Sequence, residues 1–351
     1  MVNDIKGNIK NLVYYPLLCS DLKEYHFKDL SNAIESSTSF LLDVDGKNRV
    51  AISWWVSAKR TRSYPYARVY NTLNYAGKRI TIIPIFKDEG YDGDRDFIQF
   101  DTIALMSLLN VHVIVAYYIN AEKNKSYDNK ITTQRFDIQY IEKKIKLIIS
   151  NQQSDALHWN MKEVEQIFEI GRTAIQSYIK IGEKLNIRMH DFRRAESRIE
   201  NIYRERKLFI TRSRRNARQA QIRESLTTQP KEMVDGSKGK ITIENYLGGQ
   251  YFFTVDETII RKDRIFLIEA KHCKNMNKLP SIDDIKDGLL KMILYTNLEH
   301  ITCNGNNMTA IPCLKLTNQN SKFDNISKNE LQTLSVLEEE AKINNFQIIH
   351  E

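Results

Sequence analysis

The stretch ETIIRKDRIFLIEAKH, residues 257 to 272, runs an apolar segment, Ile265 to Ile268, straight into Glu269 and Lys271, with Asp256 just upstream. Charge at the end of a core strand is costly unless it is paired or holds a metal. If the hairpin turns at Lys262-Asp263, Arg261 faces Arg264, and counting outward brings Asp256 opposite Glu269. Cross-strand neighbours have Cβ atoms about 4.5–5.5 Å apart, so two like charges there repel. Alternation along the strand puts Lys271 on the face of Glu269 and Ala270 on the other. Two carboxylates and an ammonium therefore share one face at the mouth of an apolar sheet. A hard divalent ion such as Mg²⁺ takes a few carboxylate oxygens, keeps several waters and completes its shell with phosphate. It stabilises charge on a phosphodiester and acidifies a bound water that a nearby lysine orients or helps to deprotonate. The chemistry implied is phosphodiester hydrolysis. On this reading Glu269→Gln relieves repulsion and leaves the metal-free protein at least as stable as the wild type.

An acid-x-Lys tripeptide alone is uninformative, since Asp4-Ile5-Lys6, Glu142-Lys143-Lys144 and Glu340-Ala341-Lys342 also match. Only Glu269 combines a preceding apolar strand, a facing acid and a following helix and strand. Glu244 or Glu232 is a candidate further acid from an upstream element. His272 and Cys273 adjoin the motif, but without partners at ligand spacing they read as core or rim residues. The segment DVDGKNRVAISWWVSAK looks like a decayed copy, with Ser57-Ala58-Lys59 in place of Glu-Ala-Lys. A turn at Gly46-Lys47 sets Asp43 opposite Val50 rather than Ser57, so the copy fails on register. The acidic run DEGYDGDRD, containing Asp92, Asp94 and Asp96, reads as a solvated or cation-trimmed loop.

The elements that must position these residues follow from periodicity. Up to about residue 150, SFLLDV and RVAISWWV flank a DGKN turn, followed by KRITIIPIF, a helical FDTIALMSLLN and a buried strand VHVIVAYY. From about 160 to 224 the spacing of Val164, Ile167, Phe168, Ile175 and Ile179 is helical, ending in the basic run RSRRNARQAQIR. Gly171 splits this stretch into two short amphipathic runs, suggesting a helical hairpin that packs two domains together, or more distantly a helix-turn-helix. After the polar stretch TTQPKEMVDGSKGK come KITIEN, QYFFTVDETII, RIFLIEAKH, DDIKDGLLKMILYTN, MTAIPCLKL, NELQTLSVLEEEAKIN and FQIIHE, in the order strand, strand, strand, helix, strand, helix, strand.

With 351 residues, 42% hydrophobic and 27% charged, the chain has an ordinary globular composition. A net charge of +8 and a pI near 9.1 favour an anionic partner such as nucleic acid. The longest apolar run, VHVIVAYYI, is far too short to span a bilayer, and MVNDIKGN lacks the apolar core of a signal peptide. The expectation is a cytoplasmic protein with no membrane association. Cys19, Cys273, Cys303 and Cys313 form no CxxC pair and are expected to stay reduced. For DNA contact, SAKRTRSYPYAR interleaves Lys59, Arg60, Arg62 and Arg68 with Tyr64 and Tyr66, residue types suited to phosphates, guanine edges and stacking. In TRSRRNARQAQIR, Arg215 and Arg218 share a helical face with Arg212 and Arg214 nearby, a density suited to backbone phosphates.

Asp256 at the end of the second strand of this C-terminal series and Glu269-Ala270-Lys271 at the end of the third, followed by helix and strand, resemble the PD-(D/E)XK nuclease superfamily, which includes most type II restriction endonucleases. The resemblance covers about residues 225 to 351. It departs from the family pattern in having Val255, not proline, before the aspartate. It implies that Asp256 and Glu269 bind Mg²⁺ and that Lys271 assists the attacking water. The expected fold is α/β (α+β): an N-terminal mixed α/β domain over 1–155 for DNA recognition, a basic helical connector over 156–224, and a catalytic domain with a mixed central sheet over 225–351. The expected function is Mg²⁺-dependent, sequence-specific cleavage of double-stranded DNA, as by a type II site-specific deoxyribonuclease, with a homodimer expected from the symmetry of a palindromic duplex. The alternatives are a non-catalytic DNA-binding protein on a nuclease-like scaffold and a structure-specific or repair nuclease without base preference. If the connector arginines meet phosphates, replacing Arg214, Arg215 and Arg218 by alanine weakens binding to all duplexes alike. The slope of log affinity against log salt then falls by roughly one per lost contact, which a titration at several salt concentrations measures.

Overall fold

The computed structural model describes residues 2–58, 63–151, 155–193, 195–197, 237–245, 250–275, 278–319, 323 and 326–350. In chain order the elements are β1 (Asn3–Ile9), β2 (Lys23–His26), α1 (Leu30–Ser36), β3 (Ser39–Asp43), β4 (Arg49–Trp54), α2 (Ser63–Tyr70), β5 (Lys78–Pro84), β6 (Phe86–Asp88), β7 (Arg95–Phe97), α3 (Phe100–Leu108), β8 (Val111–Ala116), β9 (Tyr118–Lys123), β10 (Ile131–Phe136), α4 (Ile138–Ser150) and α5 (Ala156–Leu185). They continue with β11 (Ser237–Asn245), β12 (Gln250–Arg261), β13 (Arg264–Cys273), α6 (Ile282–Tyr295), β14 (Glu299–Cys303), β15 (Asn306–Asn307), β16 (Thr309–Asn318), α7 (Lys328–Asn344) and β17 (Gln347–His350). The protein is a mixed α/β chain, and no helix among the described residues is long and apolar enough to cross a membrane.

The chain divides into two compact units, one of Met1–Asp21, Tyr66–Asn74 and Arg214–Glu351, the other of Leu22–Pro65 and Tyr75–Ser213. This differs from a partition at residues 155 and 224. The first strand belongs with the C-terminal elements: β1 pairs parallel to β11 and antiparallel to β14. Its buried Ile5 and Ile9 alternate with polar residues, as expected of a half-buried strand.

The first unit holds an eight-stranded mixed sheet in the order β15-β14-β1-β11-β12-β13-β16-β17. β13 lies between antiparallel β12 and parallel β16, which explains why RIFLI reads as a nearly continuous apolar run. The β12–β13 turn places Lys262 at φ 56°, and Arg261 faces Arg264. Helix α6 starts where the Ser281 side chain accepts the Asp284 amide, with Asp283 and Asp284 favourably placed near the positive end of its dipole. A reciprocal Ser327–Glu330 capping box starts α7.

An extended segment, residues 13–18, is held to this unit by side chains rather than by strand pairing. Asn297 accepts from Val13 N and donates to Val13 O, and Asn344 does the same for Tyr15. The buried Glu340 carboxylate accepts the hydroxyls of Tyr14 and Tyr70 and the amides of Leu17 and Leu18.

In the second unit a five-stranded sheet has the order β2-β3-β4-β5-β8. Its edge strand β8 is apolar and buried, and α5 covers its free backbone groups with polar side chains. Trp159 Nε1 donates to Val113 O, the Asn160 amide bonds Val113 N and Val111 O, and Glu163 Oε2 accepts the Val115 amide. Covering an edge in this way blocks further strand addition. Residues 156–185 are thus one continuous helix through Gly171, integral to this unit, and neither a connector, a helical hairpin nor a helix-turn-helix. The β3–β4 register is also shifted by one from expectation. Asp43 faces Arg49 because five residues, 44 to 48, form the turn, and Ser57 lies beyond β4, donating to Asp96. The acidic run forms the turn of the β6–β7 hairpin, where Asp92 and Asp94 are exposed, as expected of a solvated loop, while its first residue, Asp88, is buried. Within it Arg95 and His190 hold the buried Asp88, and Asp92 accepts the Asn129 amide.

Glu340→Ala removes acceptors from two tyrosine hydroxyls and two amides and lowers unfolding free energy by about 3 kcal/mol. Tyr14→Phe costs about 1 kcal/mol. Urea denaturation of both variants measures the difference.

Candidate active site

Strand β13 carries Glu269 and Lys271 in the interior of the eight-stranded sheet, where Glu269 pairs in register with Leu314 of β16 and Lys271 with Leu316. On the other side, paired residues run from Arg261–Arg264 to Glu257–Ile268, and the same register carried one step further brings Asp256 to Glu269. Asp256 does not simply confront Glu269: its Oδ2 accepts the backbone amide of Ala270, 2.9 Å away.

Helix α6 completes the arrangement. Lys291 Nζ lies 2.7 Å from Glu269 Oε2, Lys271 Nζ lies 2.9 Å from Glu269 Oε1, and Lys271 also bonds Asp287 Oδ2. Asp287 and Lys291 are one helical turn apart and so project from the same face of α6. Between them Gly288 makes room for the Lys271 stem, since a Cβ there would stand 3.2 Å from Lys271 Cε and 2.7 Å from Leu314 Cδ1. The glycine is required by this close approach of helix to strand.

The Glu269 side chain is 1% exposed, so its charge depends on these partners. Burial pushes its carboxyl up, but the ammoniums of Lys271 and Lys291 reverse this and hold it below the ordinary glutamate range. Burial likewise disfavours both ammoniums, yet Glu269 and Asp287 raise Lys271, and Glu269 and Asp256 raise Lys291, above the usual lysine range. Asp287 moves upward, chiefly through burial, which Lys271 only partly offsets.

Asp256, Glu269 and Lys271 are brought together; Glu244 is not. It is exposed on β11 opposite Gln250, six residues along β12 from Asp256, or about 20 Å at the rise of a strand. Glu232, Lys59, Arg60, Arg62, Arg212, Arg214, Arg215 and Arg218 lie outside the described residues, as does the side chain of Tyr64. His272 Nδ1 is 3.0 Å from Thr317 Oγ1, in keeping with a rim position, and all four cysteines are free. Asp287 and Lys291 were missed by sequence reasoning. Their signal was an acid and a base at i and i+4 within the apolar helix IDDIKDGLLKMILY that follows the motif strand.

No three or more His, Cys, Asp or Glu side chains gather as a metal cage among the described residues. Glu269 and Asp256 offer carboxylate oxygens alone, which fits a hard ion that keeps most of its waters. Comparison of the chain with protein-family models, curated proteins and solved structures returns no match.

The two ammoniums overturn the expected effect of Glu269→Gln. The variant leaves two buried cations without their shared counter-ion and is destabilised by on the order of 3 kcal/mol at neutral pH. Because the Glu269 carboxyl is depressed in the folded chain, its contribution is complete above the ordinary glutamate range and is lost as pH falls through the depressed value. Denaturation at neutral pH and at about pH 3 should show the gap between wild type and variant narrowing in acid.

Proposed function

We propose that the protein is a Mg²⁺-dependent endonuclease that hydrolyses phosphodiester bonds of double-stranded DNA, with a PD-(D/E)XK-like catalytic unit and the sequence specificity of a type II restriction enzyme. The observation that carries this reading is the buried Glu269 carboxylate within a core strand, bound to Lys271 and with Asp256 on the adjoining strand. Buried charge is costly unless it is paired or holds a metal, and clusters of perturbed titratable groups concentrate at functional sites. The β12–β13 hairpin, α6 and the parallel strand β16 occur in that chain order, with the short strands β14 and β15 between α6 and β16, and this supports the resemblance.

Asp256 and Glu269 would hold the divalent ion, which when bound stabilises charge on the phosphodiester and acidifies a water. Lys271 is raised above the usual lysine range, so it stays protonated at neutral pH. As an ammonium it would orient the attacking water or the phosphate. Asp287 fixes the direction of that ammonium through its ion pair. The basic balance of the chain supports a polyanionic substrate.

Digestion of mixed plasmid DNA in Mg²⁺ and in EDTA tests the reading: discrete bands in Mg²⁺ alone mark a sequence-specific nuclease, and a smear marks one without base preference. No cleavage marks a binding protein. Lys271→Ala should lower cleavage by about 10²-fold or more while DNA binding changes little, because one charge among many sets little of the affinity. Near wild-type cutting by that variant would move the active site elsewhere.

A further inference from the structure

Glu269 has both carboxylate oxygens occupied, Oε1 by Lys271 and Oε2 by Lys291. A cation that takes the place on Oε2 now held by Lys291 must displace that ammonium. The two lysines are not equivalent. Lys271 is additionally tied to Asp287 and its side chain is 12% exposed, whereas Lys291 is 19% exposed and its ion pair is with Glu269. Lys291 sits on a flexible four-carbon stem on α6 and can swing toward solvent without disturbing the sheet.

The charges around Glu269 give this exchange a consequence. Lys271 and Lys291 bring two positive charges, and Asp256, Glu269 and Asp287 three negative, leaving one net negative charge. A divalent ion entering alone, with the displaced Lys291 ammonium still at the rim of the site, turns this into one net positive charge in a largely buried place, which is unfavourable. A phosphodiester arriving with it brings the balance to zero and offers the displaced ammonium a new anion.

We propose that Lys291 is a positioning residue that occupies the divalent-ion position on Glu269 in the metal-free protein, making cation and phosphodiester binding mutually dependent. This rests on the metal-dependent reading of the site and extends it to regulation. Ion and DNA each bind weakly alone and tighten one another, by the reciprocity that any coupling between two ligands obeys. Free protein is thereby kept without a loaded ion until DNA is present.

The test is Mn²⁺ binding, measured by calorimetry on the full chain with and without a mixed-sequence duplex whose phosphorothioate linkages resist hydrolysis. Wild type should bind Mn²⁺ on the order of tenfold more tightly in the presence of the duplex, within the usual range of coupling. Lys291→Gln should bind Mn²⁺ on the order of tenfold more tightly than wild type without DNA, and should lose most of the gain on adding it. Lys291→Arg, which keeps the charge, should restore weak binding and coupling, a rescue that a merely structural role would not produce. Thermal melts establish that each variant is folded. Mn²⁺ binding to wild type that is unchanged or weaker in Lys291→Gln overturns the role of Lys291 and leaves the nuclease reading standing. Failure of wild type, Lys291→Gln and Glu269→Gln alike to bind Mn²⁺ even with the duplex overturns the metal-dependent reading itself, and this proposal with it.

Discussion

A carboxylate buried within a core strand is tolerable only while something neutralises it, and in this chain two ammoniums from different elements do so. Lys271 comes from the same strand as Glu269 and Lys291 from the helix that follows. The requirement reaches outward from there. Helix α6 must lie close enough for Lys291 to arrive, which Gly288 permits, and its Ser281 cap sets where the helix begins. Asp287 must stand one turn earlier to take the second bond of Lys271. The parallel strand β16 must lie beside β13 to take up its backbone hydrogen bonds on the side away from β12. Packing and electrostatics are therefore not separable here: the helix that closes the core also balances the charge.

Much of this was readable in the residues. The turn at Lys262-Asp263 fixed the β12–β13 register, because a two-residue turn between alternating strands leaves no freedom to slip. The central strands announced themselves as short apolar runs between turn signals. The charges on α6 did not, since a polar residue on a mostly apolar helix reads as a solvated position until its neighbours are known. Periodicity shows that Asp287 and Lys291 share a face, but which strand that face meets is a tertiary fact. The repulsion inferred between Asp256 and Glu269 failed for the same reason. Pairwise reasoning along one hairpin could not include a cation from elsewhere or the Ala270 amide that takes up Asp256.

The second unit shows the same limit from another side. The spacing of Val164, Ile167 and Ile175 correctly signalled a helix, but not that Trp159, Asn160 and Glu163 would serve as hydrogen-bonding partners for the edge of β8. Those residues satisfy backbone groups that a neighbouring strand would otherwise claim. Glu163 is in turn paired with Lys144 from α4, so a buried acid met by a lysine from a different element occurs in both units. In this unit the pair closes an edge; in the other it sits at the proposed site.

The parallel pairing of β1 with β11 has a consequence for how the chain is made. From Ile9 to Ser237 is 228 residues, and the whole second unit is encoded between them. At ribosomal speeds of about 5–20 residues per second, the first strand waits on the order of 10 to 45 s for its partner to be synthesised. Throughout that interval Ile5 and Ile9, fully buried in the finished sheet, have no β11 to lie against. The inserted unit, built from segments that emerge together, can fold first, while the sheet that carries Glu269 depends on contacts between distant parts of the chain and is correspondingly slow to assemble. The Lys271–Glu269–Lys291 cluster in turn can come together only after residue 291 has been made, long after every segment of the inserted unit has emerged.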